Sequence, residues 1–554
     1  MGQKWKWVAA GILVLAVFLF VSCSDINEET NKRLPRSMET MTQPEYNQSG
    51  IEHNPFIIGS PQSPQMFNPL FSLDETSSEI ENLIFDGLVR IDENLQPKLH
   101  LAEDIQQSDG GLTYTVKIRK GVKFHDGAAL TADDVVFTFS IPLSPEYDGN
   151  RGTDFEMIKS VQKIDDYTVQ FRLNRRNSSF LPVTLTYGIL PKHLLKKSPI
   201  YQLDEHPFNF EKPVGTGPFR FVKWEKNNYI EFAANDQYFL GKPFIQSIKY
   251  QIVPNKTDLI QQIQNGEIHY AFGFDHKDAK MIKKRRGINI QSQWSHSYAF
   301  IAWNQRNELF RDKRVRQALA MAIDKKSIIL HILRGEGKKA DIPESPVSNV
   351  YTEEIEVLPH KPKKAKQILK EAGWKDTDGD KILDQDGKKF SFTLKTNTEN
   401  GIRMEVAKEI KKQLKKIGVE VQTEFVPWEP LIEQISPPNW DYDALLLEWS
   451  LSAFPNHFQI FHSSQRENGL NFVWWEDAKV DQLLEEIMKT TAPGKRKALY
   501  KELFQLIADE QPYTVLYYPK EYRVIPKYLN GYTFHHKNPF YKINEWAFAE
   551  NFEK

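Results

Sequence analysis

The sequence has one cysteine in 554 residues, Cys23, so no internal disulfide can form. Cohesion must come from apolar cores, which a chain of this size and 40% apolar content can build. It also lacks net charge: 72 Lys and Arg stand against 73 Asp and Glu. That balance argues against a nucleic-acid binder, which shows a basic face or a high pI. No run of 18 apolar residues occurs, so no segment reads as a membrane-spanning helix. Catalytic signatures are missing too. There is no GxxxxGK[ST] phosphate loop, no HExxH, no GxSxG and no cysteine nucleophile besides Cys23. Gly215-Thr216-Gly217 runs into Pro218 and not into a helix, so it is not a dinucleotide fingerprint. Nothing calls for a cofactor or a catalytic centre. A surface peptidase or esterase is the enzymatic alternative, without a motif to carry it. What the chain does have is 12% aromatic residues, side chains that fill cores and also grip ligands with few rotors.

Cys23 has a context of its own. Lys4 and Lys6 precede an apolar run, Val8 to Val21, too short to span a bilayer and suited to the core of an export signal. Leu19-Phe20-Val21-Ser22-Cys23 resembles the bacterial lipobox, in which the cysteine is lipidated and becomes the mature N-terminus. The match departs at Phe20, where leucine is usual. The resemblance implies a signal peptide over 1–23 and acyl chains on Cys23, anchoring the protein on the extracytoplasmic face of the membrane, in the periplasm or at the cell surface. One acyl chain holds only marginally, and two or three hold stably. Residues 24–50 are polar and aperiodic and read as a flexible tether.

Beyond the tether, helix and strand patterns alternate. Thr113–Arg119, Tyr167–Leu173, Phe219–Trp224, Tyr229–Ala234, Ser247–Val253, Phe390–Thr396 and Val419–Val426 read as strands. Asp312 is placed to cap a helix running through Ile329 to a stop at Gly335. Further helices run from Pro362 to Gly373, from Ile402 to Gly418, over Lys479–Thr490 and over Lys495–Asp509. The class is mixed α/β.

Two clusters invite a metal. Asp376, Asp378, Asp380 and Asp384 occupy calcium-loop spacing, but Lys381 replaces the glycine at position six and Gly387 the glutamate at twelve. The segment to Asp386 reads as a hairpin turn. His535-His536 reads as a surface pair.

Several stretches together resemble the bacterial extracytoplasmic solute-binding proteins of the peptide and nickel transport family, family 5. They are Phe67-Asn68-Pro69-Leu70-Phe71, Leu83-Ile84-Phe85-Asp86-Gly87-Leu88, Arg119 to Gly127, Leu130 to Phe137, Gly215-Thr216-Gly217-Pro218-Phe219, and Phe310 to Leu319 with Ala322-Ile323-Asp324. These motifs identify a fold and do not of themselves touch a ligand. Gly215 and Gly217 are expected to let the chain bend before the strand at Phe219, and Thr131 with Asp134 to form a capping box. The resemblance implies a two-lobed α/β periplasmic-binding-protein fold, type II, cluster C, with an extra small domain in lobe one. Lobe one is expected over 51–305 with the small subdomain at 93–204, lobe two over 306–515, and a return over 516–554. The chain would cross near Trp303 to Phe310 and return near Leu516 to Glu521.

By the same resemblance the protein is the binding component of an ABC transporter, a monomer that captures oligopeptides in an interlobe cleft and presents them to a permease driven by its ATPase. The segment Trp449-Ser450-Leu451-Ser452 and the strand leading through Ser63 line the cleft in relatives; Tyr298, Trp303 and Asn304 sit at the crossover. Packing or hinge duty is the alternative for each. One departure matters. Relatives place an aspartate shortly after that tryptophan to pair with the peptide amino terminus, whereas this chain reads Ser452-Ala453-Phe454-Pro455-Asn456. Glu448 is the nearest acid. This leaves open a non-peptide or amine-blocked cargo such as a metal chelate, haem or sugar, or a sensory receptor without transport.

Overall fold

The computed structural model describes residues 55–282, 287–467 and 469–549. The signal segment, Cys23 and the tether lie outside them.

A twelve-stranded sheet runs through both halves of the molecule, and one long strand joins them. Tyr513–Pro526 pairs over its first part with Ser297–Trp303. Over its second part it pairs with Tyr270–Phe274 and Ile288–Trp294. On the first side the order continues through Phe56–Ser60, Ser247–Ile252, Tyr229–Ala234 and Phe219–Glu225. On the other side Ser297–Trp303 leads to Ala444–Ser450, Ser391–Asn397 and Glu420–Val426. Between Ile288–Trp294 and Ser297–Trp303 the outgoing chain passes from one half to the other at Ser295-His296, and the Ser295 amide donates to the Pro519 carbonyl of the returning chain at 2.9 Å.

The second half shows why its central strand is hidden from solvent. All seven residues of Ser297–Trp303 are buried. Tyr298, Phe300 and Ala302 belong to one core and Ala299, Ile301 and Trp303 to another, the alternation a strand imposes. Helices cover both faces, which is why neighbouring Ala444–Leu447 reads as a continuous apolar run and not as an alternation. In the first half, a separate antiparallel sheet of Ala102–Ser108, Thr113–Ile118, Thr168–Leu173 and Ile158–Asp165 shares one continuous core with the large sheet.

Local sequence signals account for most boundaries. The expected strands form within a residue or two of their patterns. Thr131 and Asp134 make the capping box that starts Ala132–Ser140. The helix read as continuous from Asp312 is two, Lys313–Ala322 and Lys325–His331. Ile323 is extended and Asp324 caps the second helix by accepting from the Ser327 amide at 3.0 Å. The chain bends at 216–218 before the strand at Phe219, as expected, and Gly215 and Gly217 also allow a close approach. A Cβ on Gly215 would lie 1.9 Å from the Ile84 carbonyl oxygen, and the Gly217 amide donates to that same oxygen at 2.8 Å. Thr216 meanwhile donates to buried Asp86, which also meets His100 at 2.6 Å. The family motif at 215–219 thus locks onto the one at 83–88.

His535 is not a surface residue. It is almost fully buried, its Nδ1 accepts from the amides of Lys537 and Asn538, and its Nε2 therefore donates to the Ile91 carbonyl. Burial lowers its pKa to about 4 and that of half-buried His536 to about 4 as well, so both are neutral. The Asp376–Asp386 segment leads into a hairpin, Asp384–Gln385 against Lys388–Lys389.

Candidate functional site

A cavity of about 590 Å³ lies where the two halves face each other, within the range of ligand sites. One wall comes from the first half: the helix Glu75–Ile84, Arg151, Asp154 and Tyr187. The other comes from the second half: Trp449 through Asn456, then Gln459 and Leu470. The halves touch directly around it. The Ser178 amide donates to the Met488 carbonyl at 2.9 Å, Lys277 pairs with Glu405 at 3.2 Å, and Lys537 donates to the Ser450 hydroxyl at 3.1 Å.

The Trp449 wall is built by the end of a strand. Ala444–Ser450 pairs antiparallel with Ser297–Trp303, so Trp449 sits opposite Tyr298 and Glu448 opposite Ala299. Trp449 stacks between Phe300 and Phe472, with rings 6.1 and 5.8 Å away, which fixes the indole against the core while it lines the cavity. Past the strand the chain is tied to the crossing point. The Leu451 amide donates to the His296 carbonyl at 2.9 Å, and His296 Nε2 donates to the Ser452 carbonyl at 2.8 Å. Burial lowers the His296 pKa to about 3, consistent with this neutral donor role. The cavity loop and the interlobe crossing are therefore one hydrogen-bonded unit.

The residues singled out from sequence divide into two groups. Trp449, Ser450, Leu451 and Ser452 come together along the cavity. Ser63, Tyr298, Trp303, Asn304 and Glu448 are not among its lining residues. Ser63 is half-buried, its hydroxyl facing the Pro64 carbonyl. Tyr298 is inside a core against Phe300. Trp303 is fully buried, packs on Phe310 and Phe392, and donates to Thr514 Oγ1 at 2.9 Å. Asn304 donates to the Tyr442 carbonyl at 2.7 Å and accepts from the Arg306 amide, a turn-forming role. Glu448 points to the opposite face of the sheet from Trp449, where it accepts from the Ser297 hydroxyl at 2.6 Å near buried Tyr517.

The first-half wall escaped the sequence reading. Its helix buries Ser77, Ile80, Glu81 and Ile84, positions i, i+3, i+4 and i+7 of one face. An acid on an apolar stripe was the available signal. Glu81 is 7% exposed, its Oε1 has no hydrogen-bond partner, and desolvation raises its pKa to about 8. Arg151 donates through Nε and Nη2 to the Ser72 carbonyl at 3.1 and 2.8 Å. Asp154 accepts from the Tyr187 phenol at 2.6 Å, and burial pushes that phenol well above its usual range. Away from the cavity, carboxylate oxygens of Asp376, Asp378 and Asp384 lie within 4.8 Å of one another. They are engaged by the loop itself: Asp376 accepts from the Gly379 and Lys381 amides, Asp384 from Thr377, and Lys389 pairs with Asp378.

The family described as bacterial extracellular solute-binding proteins, family 5 Middle, matches residues 96–471. The chain is 46% identical to the oligopeptide-binding protein AppA of Bacillus subtilis, over 97% of this chain and 98% of that one. A solved structure of Bacillus subtilis AppA, in complex with a nonapeptide, superimposes with a TM-score of 0.78 at 47% identity, covering 90% of this chain and 99% of that one. NikZ from Campylobacter jejuni, in complex with Ni(L-His), gives 0.79 at 30% identity, covering 89% and 99%.

Proposed function

The chain belongs to the bacterial extracellular solute-binding proteins of family 5, and on that premise we propose that it captures oligopeptides between its lobes and delivers them to an ABC-transporter permease. The observation that carries this reading is the cavity closed by Trp449 to Asn456 from one lobe and the Glu75–Ile84 helix from the other, in a chain similar along its length to a protein solved with a nonapeptide. An extended peptide binds such a cleft largely through its main chain, so the side chains need only room. A nickel–histidine cargo, as in NikZ, is less favoured: no histidine lines this cavity among the described residues.

The strand pairing supports a division into two lobes. Lobe one takes residues 51 to about 295, with the four-stranded sheet as its small subdomain near 93–204, and the segment after about 519. Lobe two takes the part between. The strand pairing supports crossings at Ser295-His296 and at Tyr518 to Lys520, where the Ser295–Pro519 hydrogen bond joins the two connections. Closure about two such short connections is a hinge motion. The protein acts as a monomer tethered to the membrane by lipid on Cys23, beside its permease, and it turns over no substrate.

Calorimetry of the purified full chain with defined oligopeptides tests this. Saturable binding of peptides, with peptide found in the native protein by mass spectrometry, is the expected result. Silence toward peptides together with binding of a nickel–histidine complex would replace the reading.

A further inference from the structure

We propose that the Glu81 carboxylate is the acid that receives a cationic nitrogen of the bound peptide, either its amino terminus or a Lys or Arg side chain. The inference rests on the peptide reading above and assigns the charge recognition within that site.

Three observations converge on Glu81. It lines the cavity from the lobe-one helix, opposite the wall that begins at Trp449. Its Oε1 is buried without a hydrogen-bond partner, and a buried unpaired acceptor costs free energy until something satisfies it. The other wall offers no acid: residues 450–456 contain none, and Glu448 does not line the cavity and accepts from the Ser297 hydroxyl. Asp154, the second acid along the cavity, is already bonded to the Tyr187 phenol.

The surroundings fit an acid that waits for a partner. Burial is the largest influence and raises the pKa to about 8, with Asp74 adding to it. The Ser72 hydroxyl, the Arg151 guanidinium and the Asn68 main chain favour the ionised form but do not offset burial. Arg151 commits two of its nitrogens to the Ser72 carbonyl and makes no ion pair with Glu81. At neutral pH the empty site therefore holds a neutral Glu81. An arriving ammonium or guanidinium favours the carboxylate, so the proton leaves to solvent as the ion pair forms. A blocked, uncharged ligand finds a neutral hydrogen-bonding group there.

The test uses three nonapeptide probes of Gly, Ala and Ser with the full chain: one with a free amino terminus, one acetylated, and one acetylated with a single Lys. Calorimetry is expected to show a charged probe binding at least about 30-fold more tightly than the neutral one, and Glu81→Gln to erase that preference, read as the ratio of the two affinities within each protein. The free-amine and Lys probes separate the two sources of charge. A preference that survives in Glu81→Gln, or no preference in the wild type, overturns the inference and leaves the peptide reading standing. Binding of none of the three by the wild type strikes the peptide reading itself. Should Glu81→Gln fail to fold, proton release by the wild type decides, because an acid whose pKa is raised to about 8 must lose its proton as the ion pair forms. Heats measured at about pH 6.5 in buffers of different ionisation enthalpy are expected to report release of about one proton with the charged probe and none with the neutral one. Equal release for both overturns the assignment.

Discussion

The Lys537 ammonium donates to the Ser450 hydroxyl at 3.1 Å, joining the C-terminal return segment to the strand end that carries Trp449. Lys537 also lies 3.6 Å from Glu75, on the helix that supplies the opposite wall. One side chain thus touches both sides of the cleft. Its contribution is modest because it is partly open to water, on the order of 1 kcal/mol or less. Lys537→Ala is expected to weaken peptide binding about two- to five-fold, with a smaller effect at high salt. Calorimetry at two ionic strengths checks this, and a loss of a hundredfold would show that Lys537 does more than latch the lobes.

Gly215 and Gly127 separate two reasons for glycine. The Cβ of Gly215→Ala would fall 1.9 Å from the Ile84 carbonyl oxygen, with main chain on both sides of the clash. A loss of about 3 kcal/mol or more, or failure to fold, is expected. Gly127 has a φ of +92° and nothing within 4 Å of an added Cβ, so its alanine variant should lose only about 1–2 kcal/mol of backbone strain. Urea unfolding of both variants orders them; equal losses would refute the close-approach argument.

This pair also marks what local sequence conveys and what it does not. The Gly215-Thr216-Gly217 motif was visible, but its contact with Ile84 joins residues far apart in the chain. The same holds for the site. Trp449 to Ser452 were found through the family pattern. Tyr298 and Trp303 share their strand with five other buried residues, and in a strand covered on both faces no alternation separates cavity from core. The crossing at Ser295-His296 depends on pairing with Pro519, which no window of sequence contains. Glu81 was hidden by its neighbours, since Ile80, Leu83 and Ile84 mark the helix as a packing element.

On the proposed function, Trp449 serves as the lobe-two anchor for the ligand. Phe300 and Phe472 hold the indole in one orientation, so little ordering remains when a ligand packs on it. Trp449→Ala is expected to raise the Kd for peptides at least about tenfold, with Trp449→Phe intermediate. Calorimetry supplies the affinities and circular dichroism the check on folding. A folded alanine variant with unchanged affinity would remove Trp449 from the site.

Cys23 is the one cysteine available for acylation. Cells fed labelled fatty acid are expected to incorporate label into the wild-type protein and not into Cys23→Ala, with the variant released from membranes. Label that persists in the variant would overturn the anchor.

Glu344 gives a pH dependence with a definite sign. It is fully buried in lobe two, its Oε2 has no hydrogen-bond partner, and desolvation raises its pKa from 4.5 to about 8. His457 Nε2 lies 3.8 Å away but donates to the Pro343 carbonyl, and burial lowers the His457 pKa to about 4, so it brings no positive charge at neutral pH. The folded chain keeps the Glu344 proton across a range in which the unfolded chain has already lost it. The Glu344 contribution to stability is therefore full below about pH 4.5 and falls as pH rises toward 8. Glu344→Gln removes this dependence without removing the side chain's volume. It should match the wild type at about pH 5 and exceed it at about pH 8, by a few kcal/mol at most. Glu79 and Glu81, also raised to about 8, keep part of the slope in the variant. Urea unfolding at the two pH values measures the difference. A variant less stable than the wild type at the higher pH would mean that Glu344 is ionised in the folded protein and satisfied there by a partner.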